Sequence, residues 1–352
     1  MGDSSSAIDR SKRCSQDRCG SSFLVTAPLL PQAASVPVRP VKLPGEMWAI
    51  TVCFNPAGYK NKYDHFQRFS ARVRAQGVRL LAVELSIRGQ PFALPDGAAD
   101  RVIRLSSDTV LWHKERLLNI AVSSLPKDCD KVTWVDADLL FENPNWFRET
   151  AELLERYVVV QPFRDYYFLS KDVLDVPSEE ELASAEQLPS LAFARLLKDR
   201  TSEARALPGG AWATRRSLIE KHGFYDRFIL GGGDAAMAWA MYGLSRDWPG
   251  AWGWFNVVLP EGLMQDMSAW SDAFHSDVQS SVYFTSGRVF HLWHGDRKQR
   301  RYVLRFLSLR NAAFDPATDI ALDENQCWRW NSDKPTLHLE VEEYFRARKE
   351  EG

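Results

Sequence analysis

Two aspartates one residue apart, Asp136 and Asp138, follow the apolar run Lys131 to Val135. That run reads as a buried strand. Side chains two apart on a strand share a face, so both carboxylates point the same way if the extended geometry persists past the strand end. They then occupy the crevice outside the carboxyl edge of a sheet, where open α/β folds bind ligands. Hard oxygen donors there suit Mg²⁺ or Mn²⁺, ions that keep open positions for substrate phosphates. Taken alone, an Asp-x-Asp reads more simply as a solvated acidic turn.

Three further groups bear chemistry. In His291-Leu-Trp-His294-Gly295, two imidazoles follow a strand ending at Val289 and Phe290. Imidazole is a common ligand of Mn²⁺ or Zn²⁺, and Asp138 can complete such a site; a hydrogen-bonded core histidine is the plainer alternative. In Leu230-Gly231-Gly232-Gly233-Asp234, glycines let backbone approach a ligand, and Asp234 opens the helix Ala235 to Tyr242. Its carboxylate can serve as a base or, equally, as an N-cap. The run Trp112 to Asn119 opens a helix in which Lys114 is a candidate phosphate contact and Asn119 a donor to ligand or backbone. A solvated helix face explains these last two as well. His65, His222, His275 and His338 show no partner pattern and read as structural, and Trp212 and Trp254 read as core more readily than as sugar-stacking platforms.

The elements that must position these groups alternate. Trp48 to Phe54 reads as a first strand, broken at Asn55-Pro56-Ala57-Gly58, and Tyr59 to Gln76 as a helix closed by Gly77. Strands are expected at Val78 to Leu85 and Asp100 to Leu105, a helix at His113 to Leu125, then the carboxylate strand. A helix from Asn143-Pro144 to Arg156 and a strand from Tyr157 to Gln161 follow. Strands alternating with helices imply a parallel sheet with right-handed crossovers. Residues 171–206, with the acidic cluster Glu179 to Glu181 and a helix at Leu191 to Leu197, read as containing a flexible insertion. Trp248 to Phe290 has no clear period. A basic helix from Arg297 to Arg310 and a charged one from Glu340 to Arg348 close the pattern.

At 352 residues and 45% hydrophobic content, the chain can build one large α/β domain or two smaller ones. Lys plus Arg at 44 against Asp plus Glu at 46 leaves a formal charge of −2, which gives no reason to expect nucleic acid or an anionic membrane as partner. No run approaches the ~20 apolar residues of a membrane span. Cys14, Cys19, Cys53, Cys129 and Cys327 lack metal-ligand spacing, so a reducing, cytoplasmic setting is expected, with Cys53 in the core. Residues 1–45, rich in Ser, Pro and Ala, read as a disordered tail whose targeting role stays open; Phe23 to Leu30 is too short, and too interrupted by Pro28, for a signal segment. No Walker loop, Gly-x-Gly-x-x-Gly, Gly-x-Ser-x-Gly or Cys-x-x-Cys occurs.

Taken in order, these features resemble nucleotide-sugar glycosyltransferases of the GT-A fold over most of residues 47–348. The resemblance rests on the first strand with its Asn-Pro loop, the helix Trp-His-Lys-Glu-Arg-Leu-Leu-Asn, Asp136-Ala137-Asp138, Gly209-Gly210, the glycine turn carrying Asp234, and the late His. The second half is similar to the galactosyltransferase C-terminal region: Gly209-Gly210 and Trp212, then Gly223-Phe224-Tyr225-Asp226, then a Gly-Gly-x-Asp turn. In β-1,4-galactosyltransferases the residue three before a late metal-binding His is also a ligand, and His291 and His294 match that pair. One departure stands out, since the family's turn usually reads Gly-Gly-Glu-Asp and Gly233 replaces the Glu here.

The resemblance implies an α/β, Rossmann-like, mostly parallel sheet flanked by helices, with a C-terminal acceptor-binding part. It implies one domain over 46–352, with a nucleotide-sugar-binding half at 46–165 and an acceptor and catalytic half at 166–352. Mn²⁺ or Mg²⁺ is then held by Asp136, Asp138, His291 and His294. The donor, expected to be a UDP-sugar, meets Asn55, Pro56, Asp100, Lys114, Asn119, Asp136, Gly209 and Gly210. The acceptor is a glycan or another hydroxyl compound, and Asp234 is the base of an inverting transfer. A catalytically silent scaffold that binds a nucleotide or glycan is the alternative, favoured by the Gly233 departure. A metal-dependent phosphohydrolase or nucleotidyltransferase would need more carboxylates near the pair or a basic signature loop, and neither is visible.

Overall fold

The computed structural model describes residues 37–198, 200–245 and 258–351. Its first unit is β1 (Glu46–Phe54), α1 (Asn61–Ala75), β2 (Leu80–Ile87) and β3 (Arg101–Ser107). β2 is apolar at most positions and buried at every one, as a strand covered on both faces must be. β3, at the sheet edge, is exposed or half-buried at every position but Ser107. α1 presents Phe66, Phe69 and Val73 at helical spacing, all fully buried. Burying each contributes roughly 1.5–3 kcal/mol. Gly77, at φ +79°, makes the left-handed turn that ends the helix region.

Next come α2 (Lys114–Ser123), β4 (Cys129–Val135), the short β5 (Leu139–Phe141), α3 (Trp146–Leu154), β6 (Val159–Gln161), β7 (Asp165–Phe168) and β8 (Glu186–Pro189). The second half adds α4 (Leu191–Leu197), β9 (Ala211–Arg215), α5 (Arg216–His222), α6 (Gly233–Met241), α7 (Glu261–Val278), β10 (Val282–Phe284), β11 (Arg288–His291), α8 (Tyr302–Asn311) and α9 (Pro335–Ala347). The main sheet has seven strands in the order β10-β6-β9-β4-β1-β2-β3. β1, β2, β3, β4, β6 and β10 run one way, and β9 alone is antiparallel to its neighbours β4 and β6. This is the mostly parallel, helix-flanked α/β sheet expected from the sequence. Trp134 and Trp212 face each other across β4 and β9, which fixes register at the sheet centre.

A second sheet, β5-β11-β7-β8, forms beyond the carboxyl end of β4. β5 leaves Asp138 and runs antiparallel to β11, with Leu139 opposite His291. The Leu292 amide donates to the Asp138 carbonyl at 2.9 Å. Two segments some 150 residues apart are thereby locked side by side at the chemistry-bearing residues.

Several expectations need correcting. Part of 171–206 was expected as a flexible insertion, yet Ser178 forms a capping box with Glu181 and β8 pairs with β7 across four residues. The acidic run is the first turn of a capped helix. The helix expected over Arg297–Arg310 is broken: a 3₁₀ turn ends at Arg301, whose φ of 45° starts α8 afresh. Residues 37–45 belong to the expected tail, but the Val38 amide donates to Arg156 O at 3.0 Å and the Val41 amide to Glu155 O at 2.9 Å. The earlier tail, and Trp254, lie outside the described residues. Trp212 is core, with its indole N–H donating to Pro208 O at 2.8 Å. Cys53 is buried as expected. Among the described residues no helix is long and apolar enough to cross a membrane.

Candidate functional site

Asp138, His291 and His294 come together at the start of β5 and the end of β11. Nε2 of His294 lies 3.0 Å from Asp138 Oδ2, and Nε2 of His291 lies 3.8 Å from the same oxygen. The two Nε2 atoms are 2.9 Å apart. Donors about 2.1 Å from one octahedral ion and at right angles sit roughly 3 Å from each other, so this spacing fits a single divalent cation. The set of one carboxylate and two imidazoles suits Mn²⁺ or Zn²⁺. Asp138 Oδ1 is buried and has no hydrogen-bond partner among the described residues, leaving a second oxygen available. Burial alone would raise the Asp138 pKa, but His291 and His294 draw it well below the usual carboxylate range. Burial lowers the His291 pKa, against the opposing pull of Asp138. His65, read from sequence as structural, is buried within electrostatic reach of Asp138.

Asp136 is not part of that cluster. A turn follows β4, so the extended geometry stops before it can aim both carboxylates one way. Asp136 Oδ1 instead receives Lys114 Nζ at 2.6 Å, and the same ammonium bridges both oxygens of Asp234 at 2.9 and 3.0 Å. Lys114 begins α2 and is nearly buried, so it ties the carboxyl end of β4 to the amino end of α6. Burial, opposed by Lys114, raises the Asp136 pKa to about 6. Burial likewise pushes Glu115, the next residue, up to about 8. Lys114 therefore faces fewer full negative charges near neutrality than the three nearby acids suggest.

Asp234 sits in the first turn of α6 but makes no capping bond, so the N-cap reading fails; Gly232, at φ +119°, occupies that position. Its carboxylate is about one-third exposed, at 32%, and lies against Gly209, where an added Cβ would come within 3.2 Å of Oδ2. The carbonyl of Gly210 accepts the Asp136 amide at 2.9 Å. Gly209 and Gly210 thus pass close to both aspartates without a side chain of their own. The Gly233 departure also has a local cause. A Cβ there would lie 2.3 Å from the Glu115 carboxyl group, so the acid on α2 fills the room a side chain on the turn would need.

Beside these groups lies a cleft at the end of β1, lined by Phe54, Asn55, Pro56, Trp112, Phe345 and Arg348, among others. Trp112 stacks on Phe345 (centroids 6.2 Å apart, planes at 17°), and the Arg348 guanidinium lies 5.3 Å over Trp112. Asn55 shapes the cleft's loop: its side chain donates to Tyr59 O at 2.7 Å and accepts from the Tyr59 amide at 3.0 Å.

Two candidate residues fall elsewhere. Asp100 precedes β3 and so lies at the amino edge of the sheet, opposite the site; it accepts the Leu80 amide at 2.9 Å and pairs with Arg74 and Arg79. Asn119 is spent on structure, accepting from the Phe224 amide at 2.7 Å and donating to Phe224 O and Asp226 Oδ2 at 3.0 Å. Sequence reasoning missed Arg300, whose Nη2 lies 3.1 Å from His294 Nε2, and Glu350, whose Oε1 lies 3.5 Å from His294 Nδ1.

No family model matches the sequence, and no curated protein sequence matches it. Solved structures do. The catalytic domain of Drosophila beta1,4-galactosyltransferase 7 in complex with xylobiose aligns with 14% identity and a TM-score of 0.29, over 55% of this chain and 59% of that one. A mutant of the Drosophila enzyme in complex with manganese, UDP-Gal and xylobiose aligns with 11% identity and a TM-score of 0.38, over 83% and 98%. Glucosyl-3-phosphoglycerate synthase from Mycobacterium tuberculosis, in complex with Mn²⁺, UDP and phosphoglyceric acid, gives 12%, 0.39, 79% and 82%. At these identities and scores, the residue roles rest on this chain's own geometry.

Proposed function

We propose that this chain is a metal-dependent glycosyltransferase of GT-A type, moving a sugar from a nucleoside diphosphate to an acceptor hydroxyl with inversion. The observation that carries the reading is convergence. A three-donor cation site and a lysine-bridged pair of aspartates, drawn from four distant segments, meet beyond the carboxyl edge of a parallel sheet, where open α/β folds bind ligands.

Asp138, His291 and His294 would hold a divalent cation, Mn²⁺ fitting the two imidazoles better than Mg²⁺, and that ion would supply charge neutralisation to a departing diphosphate. Lys114, first read as a phosphate contact, holds Asp136 and Asp234 at a fixed separation and keeps a positive charge beside them. Asp234, on the second half of the chain and partly exposed, is the carboxylate we assign as base. It takes the acceptor's hydroxyl proton as that oxygen bonds to the anomeric carbon. The bond from that carbon to the diphosphate oxygen breaks, and its electron pair leaves with the diphosphate. One base facing the leaving group across the sugar gives inversion. Trp112 and Phe345, beside Asn55 and Pro56 at the end of β1, support a donor nucleoside site in the 46–165 half together with residues of α9. The 166–352 half then supplies Asp234 and the acceptor side. A UDP-sugar is the donor we expect, and a glycan or other alcohol the acceptor.

The test is a donor panel: release of nucleotide from UDP-, GDP- and CMP-sugars, with and without Mn²⁺. Mn²⁺-dependent release of a nucleoside diphosphate supports the reading. Tight nucleotide binding with no turnover for any donor and acceptor would point to the silent scaffold instead.

A further inference from the structure

The segment after α9 returns to the cation site, and Glu350 is its buried charge. The Glu350 side chain is 1% exposed, with Oε2 held by Lys62 Nζ at 3.0 Å and Oε1 accepting from Arg348 Nε. The segment is pinned from several sides. Tyr59 Oη donates to Arg346 O at 2.9 Å and accepts from the Lys349 amide at 3.0 Å, while Lys171 Nζ donates to Glu351 O at 2.9 Å. Asn61 Nδ2 also donates to Glu350 O. The approach depends on the residue after His294. Gly295 has φ +89°, and a Cβ there would lie 2.9 Å from Arg348 O and 3.0 Å from Lys349 O. A side chain at 295 would push the segment away.

The hydrogen-bond chemistry of His294 gives this packing a purpose. Its Nε2 lies 3.1 Å from Arg300 Nη2, and a guanidinium can only donate. Asp138 Oδ2, at 3.0 Å, competes for a proton on Nε2, but a cation held beside Asp138 requires the Nε2 lone pair, as Arg300 does. The ring proton then sits on Nδ1, and Nδ1 has no partner within hydrogen-bond criteria among the described residues. The nearest acceptor is Glu350 Oε1, at 3.5 Å.

We propose that Glu350 is a positioning residue for the cation site: its carboxylate accepts a hydrogen bond from the Nδ1–H of His294, fixing the tautomer and ring orientation that turn Nε2 toward Asp138 and His291. This rests on the metal-dependent reading above. Carboxylates behind metal-bound histidines raise ligand basicity, and losing one typically weakens metal affinity roughly 10–100-fold.

The experiment uses the full chain and Mn²⁺ alone, titrated by electron paramagnetic resonance of the free ion. Glu350→Met, which keeps volume but removes the acceptor, should weaken Mn²⁺ binding roughly 10–100-fold, and Glu350→Gln, which keeps one oxygen, should fall between it and the parent. If the parent binds and Glu350→Met changes affinity by less than roughly twofold, the positioning role is wrong while the metal site stands. If the parent binds no Mn²⁺, the metal reading fails and this inference with it. Because Glu350→Met strands Arg348 and can fail to fold, a second readout uses the unaltered protein. Long-range ¹⁵N–¹H spectra of His294 should show the proton on Nδ1, and a proton on Nε2 overturns the proposal.

Discussion

Lys114→Met removes the ammonium that bridges Asp136 and Asp234, and the structure sets the size of the effect. The ammonium lies 2.6 Å from Asp136 and 2.9 Å from Asp234, on a side chain only 10% exposed. Stripping one partner from a buried ion pair costs about 3–5 kcal/mol, because the remaining charge loses its compensation. The two carboxylates keep some solvent contact, which places the expected loss near the lower end, about 3 kcal/mol. For roughly 300 ordered residues, that corresponds to a fall in Tm of about 5 °C. The loss should depend on pH. Asp136 is already raised to about 6 by burial and rises further without Lys114. A carboxyl group whose folded pKa exceeds its unfolded value adds stability that is full below the unfolded value and is lost as pH rises through the folded one. The gap between Lys114→Met and the parent should therefore be wide at pH 8 and narrow by pH 5. Adding Asp136→Asn should recover much of it. Urea unfolding of parent, single and double variants at both pH values measures this directly. A Lys114→Met protein as stable as the parent at pH 8, or a gap independent of pH, would refute the bridging role.

Three other outcomes follow from the same geometry. Burial lowers the His113 pKa to about 4 from an ordinary 6.5, so its contribution is intact above pH 6.5 and falls by about 3 kcal/mol as pH drops to 4; His113→Asn should flatten that part of the stability curve, and an unchanged slope in urea melts across the range would contradict it. Gly233→Ala drives a methyl group into the Glu115 carboxyl group and should cost about 1–3 kcal/mol by overpacking, read as a lower midpoint in chemical denaturation. Asp234→Asn should leave Mn²⁺ affinity untouched while lowering transfer roughly 10²–10⁴-fold, and full activity in that variant would remove Asp234 as the base.

Much of the scaffold was legible because its signals are local. The apolar run in β2 and the Phe66, Phe69, Val73 spacing in α1 carry their own periodicity. Asp138, His291 and His294 also stood out as candidates, since each lies within a few residues of a strand end, where an α/β sheet presents its ligands. What escaped depends on partners far along the chain. The Ser178–Pro189 stretch looks like an acidic loop until β8 pairs with β7. Asn119 looks available until the Phe224 backbone, 105 residues on, takes it. Asp100 failed on polarity: it adjoins an early strand, but at the amino edge rather than the carboxyl edge. Glu350 and Arg300 lie in charged stretches with no motif, and only the fold around Gly295 reveals that they face His294. Lys114 was noticed, but nothing in its spacing could show that it holds two carboxylates.

The central claim is that Asp138, His291 and His294 jointly hold a divalent cation at the heart of a transferase site. Titrating Mn²⁺ into the parent and into Asp138→Ala, with circular dichroism confirming that both are folded, tests it most directly. One saturable site in the parent that disappears in Asp138→Ala is the expected result. Equal binding by both proteins, or no binding by the parent, would contradict it.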